Sequence, residues 1–477
     1  MAAYGGSNPG MDEIQATEPA PEGERAPVSF RHRLRRLAAP LVALITRKHA
    51  SEDLHAVMSG AATVMAIRLT GAMLVYASTI FLARWLGGFE FGIYAYVWVL
   101  AILLANMLTL GYPSAVLRFV PEYQARAKWG RLRGFLRESY TIIAVVSIAG
   151  CAVCALLVAA FADWMAPYYV APFAIGLICV PFTAMFMHTE LTARGFGWMQ
   201  LAYTPPYILR PLLTMVFVFA LFVLGFRLDA IVALWALLAS SLVSFGVQAY
   251  LLWRRTVRVL KPAPPIHHSY YWASISGSFI VIDCLRLALE NADVILVGQL
   301  LGPTAVGAYY AAARTGGLIA FIYFAVIAMA VPRFSKLHAS QSRAEMQRFV
   351  SGVIHLMFWP SALTAAGLAL LGPSILSLFG MDFVEAYSAL LVVLAGFLVR
   401  AATGPAEYIL AMTGHQRDAM GVYAVSVVVC IVLNYILIPQ LGVLGAALSV
   451  YGVLAGASVW LSILVRKRLG IVALLGF

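Results

Sequence analysis

The sequence predicts an all-α integral membrane protein of about twelve transmembrane helices in two parallel six-helix lobes, with both termini on the cytoplasmic side. Three observations carry this: an apolar composition, a strict alternation of basic and non-basic loops, and an internal repeat. Of the 477 residues 62% are hydrophobic and 11% charged, with a mean hydropathy of +0.87. Soluble domains average about 45–50% apolar residues. Apolar runs long enough to cross a hydrocarbon layer of about 30 Å recur almost to the end of the chain.

Residues 1–28 are rich in Gly, Pro, Ala and Glu and read as a disordered tail, with no signal-peptide pattern. Residues 29–54 form a basic segment around FRHRLRRLAAPLVALITRK, too short to span, whose arginines suit a helix lying on an anionic membrane surface or a basic tether. Twelve spans come next, at 56–83, 91–113, 139–161, 171–192, 205–226, 230–252, 272–300, 304–331, 350–371, 385–411, 419–438 and 442–464. Arg126, Lys128, Arg131, Arg133 and Arg137 follow the second span, and Arg254, Arg255, Arg258 and Lys261 the sixth. Arg333, Lys336, Arg343 and Arg348 follow the eighth, and Arg466, Lys467 and Arg468 the twelfth. The opposite loops carry little beyond Arg84 and Arg227, so positive charge marks the cytoplasmic side. The net charge of +12 is thus a topology signal and calls for no nucleic-acid partner.

LGGFEFGIY (86–94) and LGPTAVGAY (301–309) match at an offset of 215, and the register holds to Arg118-Phe119 and Arg333-Phe334. A second echo, at 217, aligns Glu190 and Gly197 with Glu407 and Gly414. The chain therefore divides into a first lobe (55–260), a cytoplasmic linker (261–270), a second lobe (271–466) and a tail (467–477). Six helices per repeat make the repeats parallel, with a substrate site between the lobes near the midplane. Alternating access by two rocking lobes needs no soluble domain. The sequence has no nucleotide-binding or metalloprotease motif, so neither an enzyme activity, a cofactor nor a metal site is expected. Cys151 and Cys154 form a CxxC inside an apolar span, where packing explains it better than redox chemistry.

Charges inside spans are costly and therefore informative. DCLRLALENAD (283–293) places Asp283, Arg286, Glu290 and Asp293 at spacings of 3, 4 and 3, which puts all four on one helix face. That stripe suits a water-filled cavity; alternatively Arg286 pairs with its carboxylate neighbours and locks the helix in place. Arg68, Arg286, Arg314 and Arg400 lie deep on four different spans, and Arg210 lies among Pro205, Pro206 and Pro211, where it either joins the cavity or snorkels to the interface. Converging guanidinium groups suit a phosphate or diphosphate anion. Glu190 and Glu407 read equally as caps or inter-helix contacts. His188, His355 and His415 are isolated.

LARWLGGFEFGIYAY (82–96), LGYPSAVLRFVPEY (110–123) with its basic loop, and NADVILVGQLLGPTAVGAYYAAAR (291–314) resemble polysaccharide-biosynthesis, O-antigen-type flippases of the multidrug/oligosaccharidyl-lipid/polysaccharide exporter superfamily. The resemblance covers roughly residues 50–465 and implies a fold like that of the multidrug exporters. It also implies a flippase of the bacterial inner membrane, moving undecaprenyl-pyrophosphate-linked oligosaccharide to the periplasmic leaflet for O-antigen, capsule or exopolysaccharide synthesis. Its partners would be that lipid-linked substrate, membrane lipids, a proton or sodium ion, and glycan polymerase or assembly proteins. On this reading Arg68, Arg286, Arg314, Arg400 and Arg210 hold the substrate, and Asp283, Glu290 or Asp293 answers a coupling ion. The alternatives are a cation-coupled drug or metabolite exporter, against which Arg68 stands where that branch carries an acidic residue, and a membrane glycan polymerase, against which the short loops stand.

Overall fold

The computed structural model describes residues 53–339 and 343–475, and all regular structure among them is helical. The expected tail at 1–28 and almost all of the basic segment at 29–54 lie outside these residues. Contacts divide the chain into two units, Met1–Gly60 and Ala61–Phe477. The helices of the second unit, of which the first begins just before it, are α1 (Asp53–Leu108), α2 (Tyr112–Ala125), α3 (Trp129–Ala160), α4 (Pro167–Gly195), α5 (Met199–Thr204), α6 (Arg210–Val223), α7 (Ala230–Val259), α8 (Ser269–Leu300), α9 (Pro303–Gly316), α10 (Ile319–Ala339), α11 (Arg343–Ser377), α12 (Tyr387–Ala402), α13 (Ala406–Met412), α14 (Gln416–Leu441) and α15 (Val443–Leu469).

Nine of these segments are long and apolar enough to cross a membrane, and a tenth arises if α9 and α10, bent by 43°, are one span. α1 counts as two, because Met65–Leu108 runs 44 residues, about 66 Å of helix against a layer of about 30 Å. α8, Ser269–Leu300, is not among the nine. With α1 counted twice and α8 and the bent pair included, the twelve expected spans are all present. The surface agrees with a lipid surround: only 11% of the most apolar window, in α3, is buried, and Leu156 and Leu370 are 71% and 83% exposed.

The repeat is visible in the backbone. α1 breaks at Gly87 (φ 77, ψ 167), and Gly302 has nearly the same conformation (φ 87, ψ −177) at the offset of 215. Side chains rarely adopt this region, so both hairpin tips require glycine. Phe119 and Phe334, another matched pair, are both fully buried. Gly197 and Gly414 follow α4 and α13 with φ of 79 and 83. The two tips also pack on each other reciprocally. A methyl group at Gly92 would lie 1.8 Å from the Pro303 carbonyl oxygen, and one at Gly307 would lie 2.6 Å from that of Gly88. At the offset of 215, Gly88 corresponds to Pro303 and Gly92 to Gly307. The local two-fold relation therefore passes through this contact, on the face opposite the basic loops.

Two irregularities shape the interior. Pro205 and Pro206 lack N–H groups, which strips the carbonyls of Leu201 and Ala202 of their helical donors. The chain widens into a π-type turn at Pro205–Leu209, and Nε2 of the buried Gln248 in α7 donates to both orphaned carbonyls, at 3.0 and 3.2 Å. The expected span 385–411 is not one helix. It breaks between α12 and α13 at Thr403–Pro405, with Gly404 at φ 66.

Neither the linker nor residues 471–475 hang free. The Ile266 N–H donates to the Gly130 carbonyl at 2.9 Å, and the Ser269 hydroxyl to Glu138 of α3 at 2.7 Å. Residues 471–475, expected as tail, run back along the second lobe. The Gln347 side chain bonds both backbone groups of Val472, at 2.7 and 2.9 Å. The Leu475 N–H donates to the Ala402 carbonyl at 2.9 Å, while Ile471 and Ala473 are buried.

Candidate functional site

A cavity of about 550 Å³ lies between helices of both lobes. α1 contributes Tyr76 and Thr79, and the wide turn contributes Tyr207. α8 lends Arg286, Glu290, Asn291 and Asp293, α9 lends Tyr310 and Arg314, and α10 lends Tyr323. Arg400 comes from α12 and Tyr451 from α15. Three of the five expected arginines and two of the three expected carboxylates thus line one cavity. Arg68, Arg210 and Asp283 do not line it.

The stripe on α8 divides. The Asp283 carboxylate accepts a 2.6 Å hydrogen bond from Ser114 of α2 and so ties the second lobe to the first. Arg286 pairs with Glu290 at 3.3 Å, with the two side chains 56% and 48% exposed. Asp293 is 2% exposed; it accepts from the Tyr309 hydroxyl and, at 2.7 Å, from the Val294 N–H. Along α8 the lining side chains therefore pass from half-exposed at Arg286 and Glu290 to buried at Asp293. There the Tyr76 hydroxyl of the first lobe meets Thr315 Oγ1 of the second at 2.8 Å. The predicted single face holds for Arg286, Glu290 and Asp293. Asp283, at the end of the arc, turns to the neighbouring helix.

The arginines fall into two groups. Arg286 and Arg400 are held by carboxylates, Arg400 by Glu407 at 3.6 Å. Arg68, Arg210 and Arg314 form no ion pair among the described residues; each stacks on a ring instead. Arg314 lies 4.6 Å from the Tyr310 centroid, Arg68 5.1 Å from Tyr203, and Arg210 5.4 Å from Trp98. None of the three is fully buried, so each cation–π contact contributes about 0.5–1 kcal/mol, and guanidinium N–H donors, which lie in the plane of the group, can still point to an anion. The sequence reading missed these rings. It also missed Arg194, which stacks on Tyr203 at 5.6 Å and lies 4.0 Å from Glu190. Their only signal is position: Tyr309-Tyr310 follows the repeat match.

Each lobe repeats one arrangement. Glu190 and Glu407 correspond at 217, each beside an arginine. The wide turn inserts one residue into the first lobe, so Tyr207 comes opposite Tyr423 at 216. The Tyr423 hydroxyl donates to Glu407. His188 is fully buried and meets the Ser139 hydroxyl at 2.9 Å. Among the described residues no three His, Cys, Asp or Glu side chains gather as metal ligands.

Comparisons with known proteins agree with this architecture. Among solved structures, a multidrug resistance MATE family transporter in an inward-facing conformation is similar over 85% of this chain and 98% of its own, at 16% identity and a TM-score of 0.66. The lipid II flippase MurJ, in an inward closed conformation, matches over 85% of this chain and 87% of its own, at 12% identity and 0.66. A transporter of the MOP superfamily from Pyrococcus furiosus, described as having a binding pocket of reversed polarity, matches over 86% and 95%, at 14% and 0.59. At such identities the likeness shows the fold, a MATE-like transporter fold. No curated protein matches the sequence. The MatE family profile matches residues 279–436. The profile described as polysaccharide biosynthesis protein matches residues 57–338, more than half of the chain, and the chain belongs to that family.

Proposed function

We propose that this chain flips an undecaprenyl-diphosphate-linked oligosaccharide across the bacterial inner membrane by alternating access, for O-antigen, capsule or exopolysaccharide assembly. The observation that carries the reading is Arg314: a guanidinium exposed to the cavity, stacked on Tyr310 and in no salt bridge among the described residues. Its charge is therefore available to an anion that enters. Arg286 and Arg400 line the same cavity and would join Arg314 in holding the diphosphate and its first sugar. Arg68 and Arg210, with Arg194, form a second cationic cluster near Tyr207, suited to a later stage of the passage. Asp293 takes the coupling proton or sodium ion: it is buried, its two hydrogen-bond donors are neutral, and it lines the same cavity as Arg314. Asp283 and Glu290 already have partners. The basic loops face the cytoplasm, where lipid-linked precursors are loaded.

The test is deletion of the gene and complementation with Arg314→Ala. Deletion is expected to abolish the surface glycan and to accumulate the lipid-linked oligosaccharide in the inner leaflet. The variant, having lost a charged hydrogen-bonding partner worth about 1.5–3 kcal/mol, is expected to restore little glycan at normal expression. Full complementation by Arg314→Ala would overturn the assignment of this site.

The MatE profile match over residues 279–436 favours a second reading, a cation-coupled exporter of drugs or metabolites. That reading expects increased drug sensitivity on deletion with surface glycan intact.

A further inference from the structure

Arg400 and Glu407 lie on either side of the break between α12 and α13. The break belongs to the second lobe alone. At the offset of 217 its counterpart falls within α4, which is continuous. Glu407 reaches back across the break to Arg400 at 3.6 Å, and Tyr423 of α14 donates a hydrogen bond to its other oxygen. Arg400 belongs to the cavity wall and also lies over the Tyr323 ring at 4.7 Å; Glu407 does not line the cavity. A cavity-facing cation is thus already neutralised from behind, by a carboxylate that ties the two half-helices together.

We propose that Glu407 is an internal counter-ion, displaced from Arg400 by the anionic headgroup as it loads, so that loading releases the tie across the break. The proposal rests on the anion reading of the cavity. Affinity for an entering anion is measured against the pair already present, so the carboxylate competes with the substrate for one guanidinium. Release of the headgroup on the far side lets Glu407 recapture Arg400, which resets the broken helix for the return. Glu407 is a positioning residue, acting through Arg400 and touching no substrate. Glu190 occupies the matched position in the first lobe beside Arg194, but on an unbroken helix, so only the second lobe can turn the exchange into bending.

The experiment uses the purified full chain in detergent micelles, with farnesyl diphosphate as the probe and farnesol as the uncharged control. Binding is followed by calorimetry for the wild type and for Glu407→Gln, Tyr423→Phe, Arg400→Ala and Arg314→Ala. Glu407→Gln keeps the shape of the side chain and its partner Tyr423, and is expected to bind the diphosphate about tenfold more tightly, ~1.4 kcal/mol. Farnesol binding should not change, and added salt should narrow the difference. Tyr423→Phe, which loosens Glu407, should shift affinity in the same direction by less, and serves in place of Glu407→Gln if that variant does not fold. A gain in affinity separates this role from a structural one, since a damaged site binds more weakly. If the wild type binds the diphosphate and Arg314→Ala loses it, but Glu407→Gln binds no more tightly, the counter-ion proposal is overturned and the anion reading stands. If the wild type does not prefer farnesyl diphosphate to farnesol, both fall.

Discussion

The glycine contact between the two hairpin tips sets a closure that one methyl group should disturb. In Gly92→Ala the added carbon would lie 1.8 Å from the Pro303 carbonyl oxygen, and both groups are backbone, so no side chain can swing aside. Ordinary contact begins at 3.4 Å, so the tips must part by about 1.6 Å, an overpacking that costs about 1–3 kcal/mol. Only the state in which the tips touch bears this cost. The equilibrium between it and the state open on that face should therefore shift by about 5- to 150-fold. The assay is maleimide labelling of a single cysteine. The five native cysteines are replaced by serine, and Thr79, in the cavity wall, becomes the reporter as Thr79→Cys. An impermeant maleimide applied from the face opposite the basic loops should label the reporter faster when Gly92→Ala is present, and Gly307→Ala should act likewise through the Gly88 carbonyl. If neither glycine variant changes the labelling rate from that face, the tips are not the closure and the reasoning fails.

Two further substitutions probe the interior. Gln248→Leu strands the carbonyls of Leu201 and Ala202 in a buried setting, an expected loss of about 1–3 kcal/mol for each group left unsatisfied; a thermal melt in detergent should drop by several degrees, and an unchanged melt would mean that those carbonyls find other donors. Tyr309→Phe removes one of the two donors to the buried Asp293, and the same range applies; here Asp293→Asn in the Tyr309→Phe background should recover part of the lost stability, because a neutral amide tolerates burial better than a half-satisfied carboxylate.

Features with a long periodic signal were legible in the sequence: the spans and the repeat, which the twin conformations of Gly87 and Gly302 bear out. The charged stripe on α8 was legible as one face, because helical geometry fixes direction from spacing alone. What each residue on that face meets was not, since Ser114 lies 169 residues from Asp283 along the chain and no local pattern encodes the meeting. The same holds for the rings beneath the arginines: Tyr203, Trp98 and Tyr310 look like ordinary apolar-span aromatics until the fold brings them under a guanidinium. The break at Thr403–Pro405 was written in the sequence as TGP. The apolar residues on both sides made one continuous span of 385–411 look sound, and the hydropathy of a segment does not report an interruption of three residues.

The grip of the first lobe on the beginning of α8 has a mechanical consequence. Trp272, fully buried, donates its indole N–H to the Tyr123 hydroxyl of α2 at 2.9 Å, and Ser269 is tied to Glu138, while further along the same helix Asp293 is bonded to Tyr309 of α9. One rod is therefore clamped at one end to the first half of the molecule and at the other to the second. When the halves rock, the flexure cannot sit in the linker before Ser269, which travels with the first half; it must be taken up inside α8 itself. The helix that carries Arg286 and Glu290 into the cavity would then be the torsion bar of the machine, and the stiffness of the stretch between Trp272 and Asp293 would set how readily the two sides of the membrane exchange access.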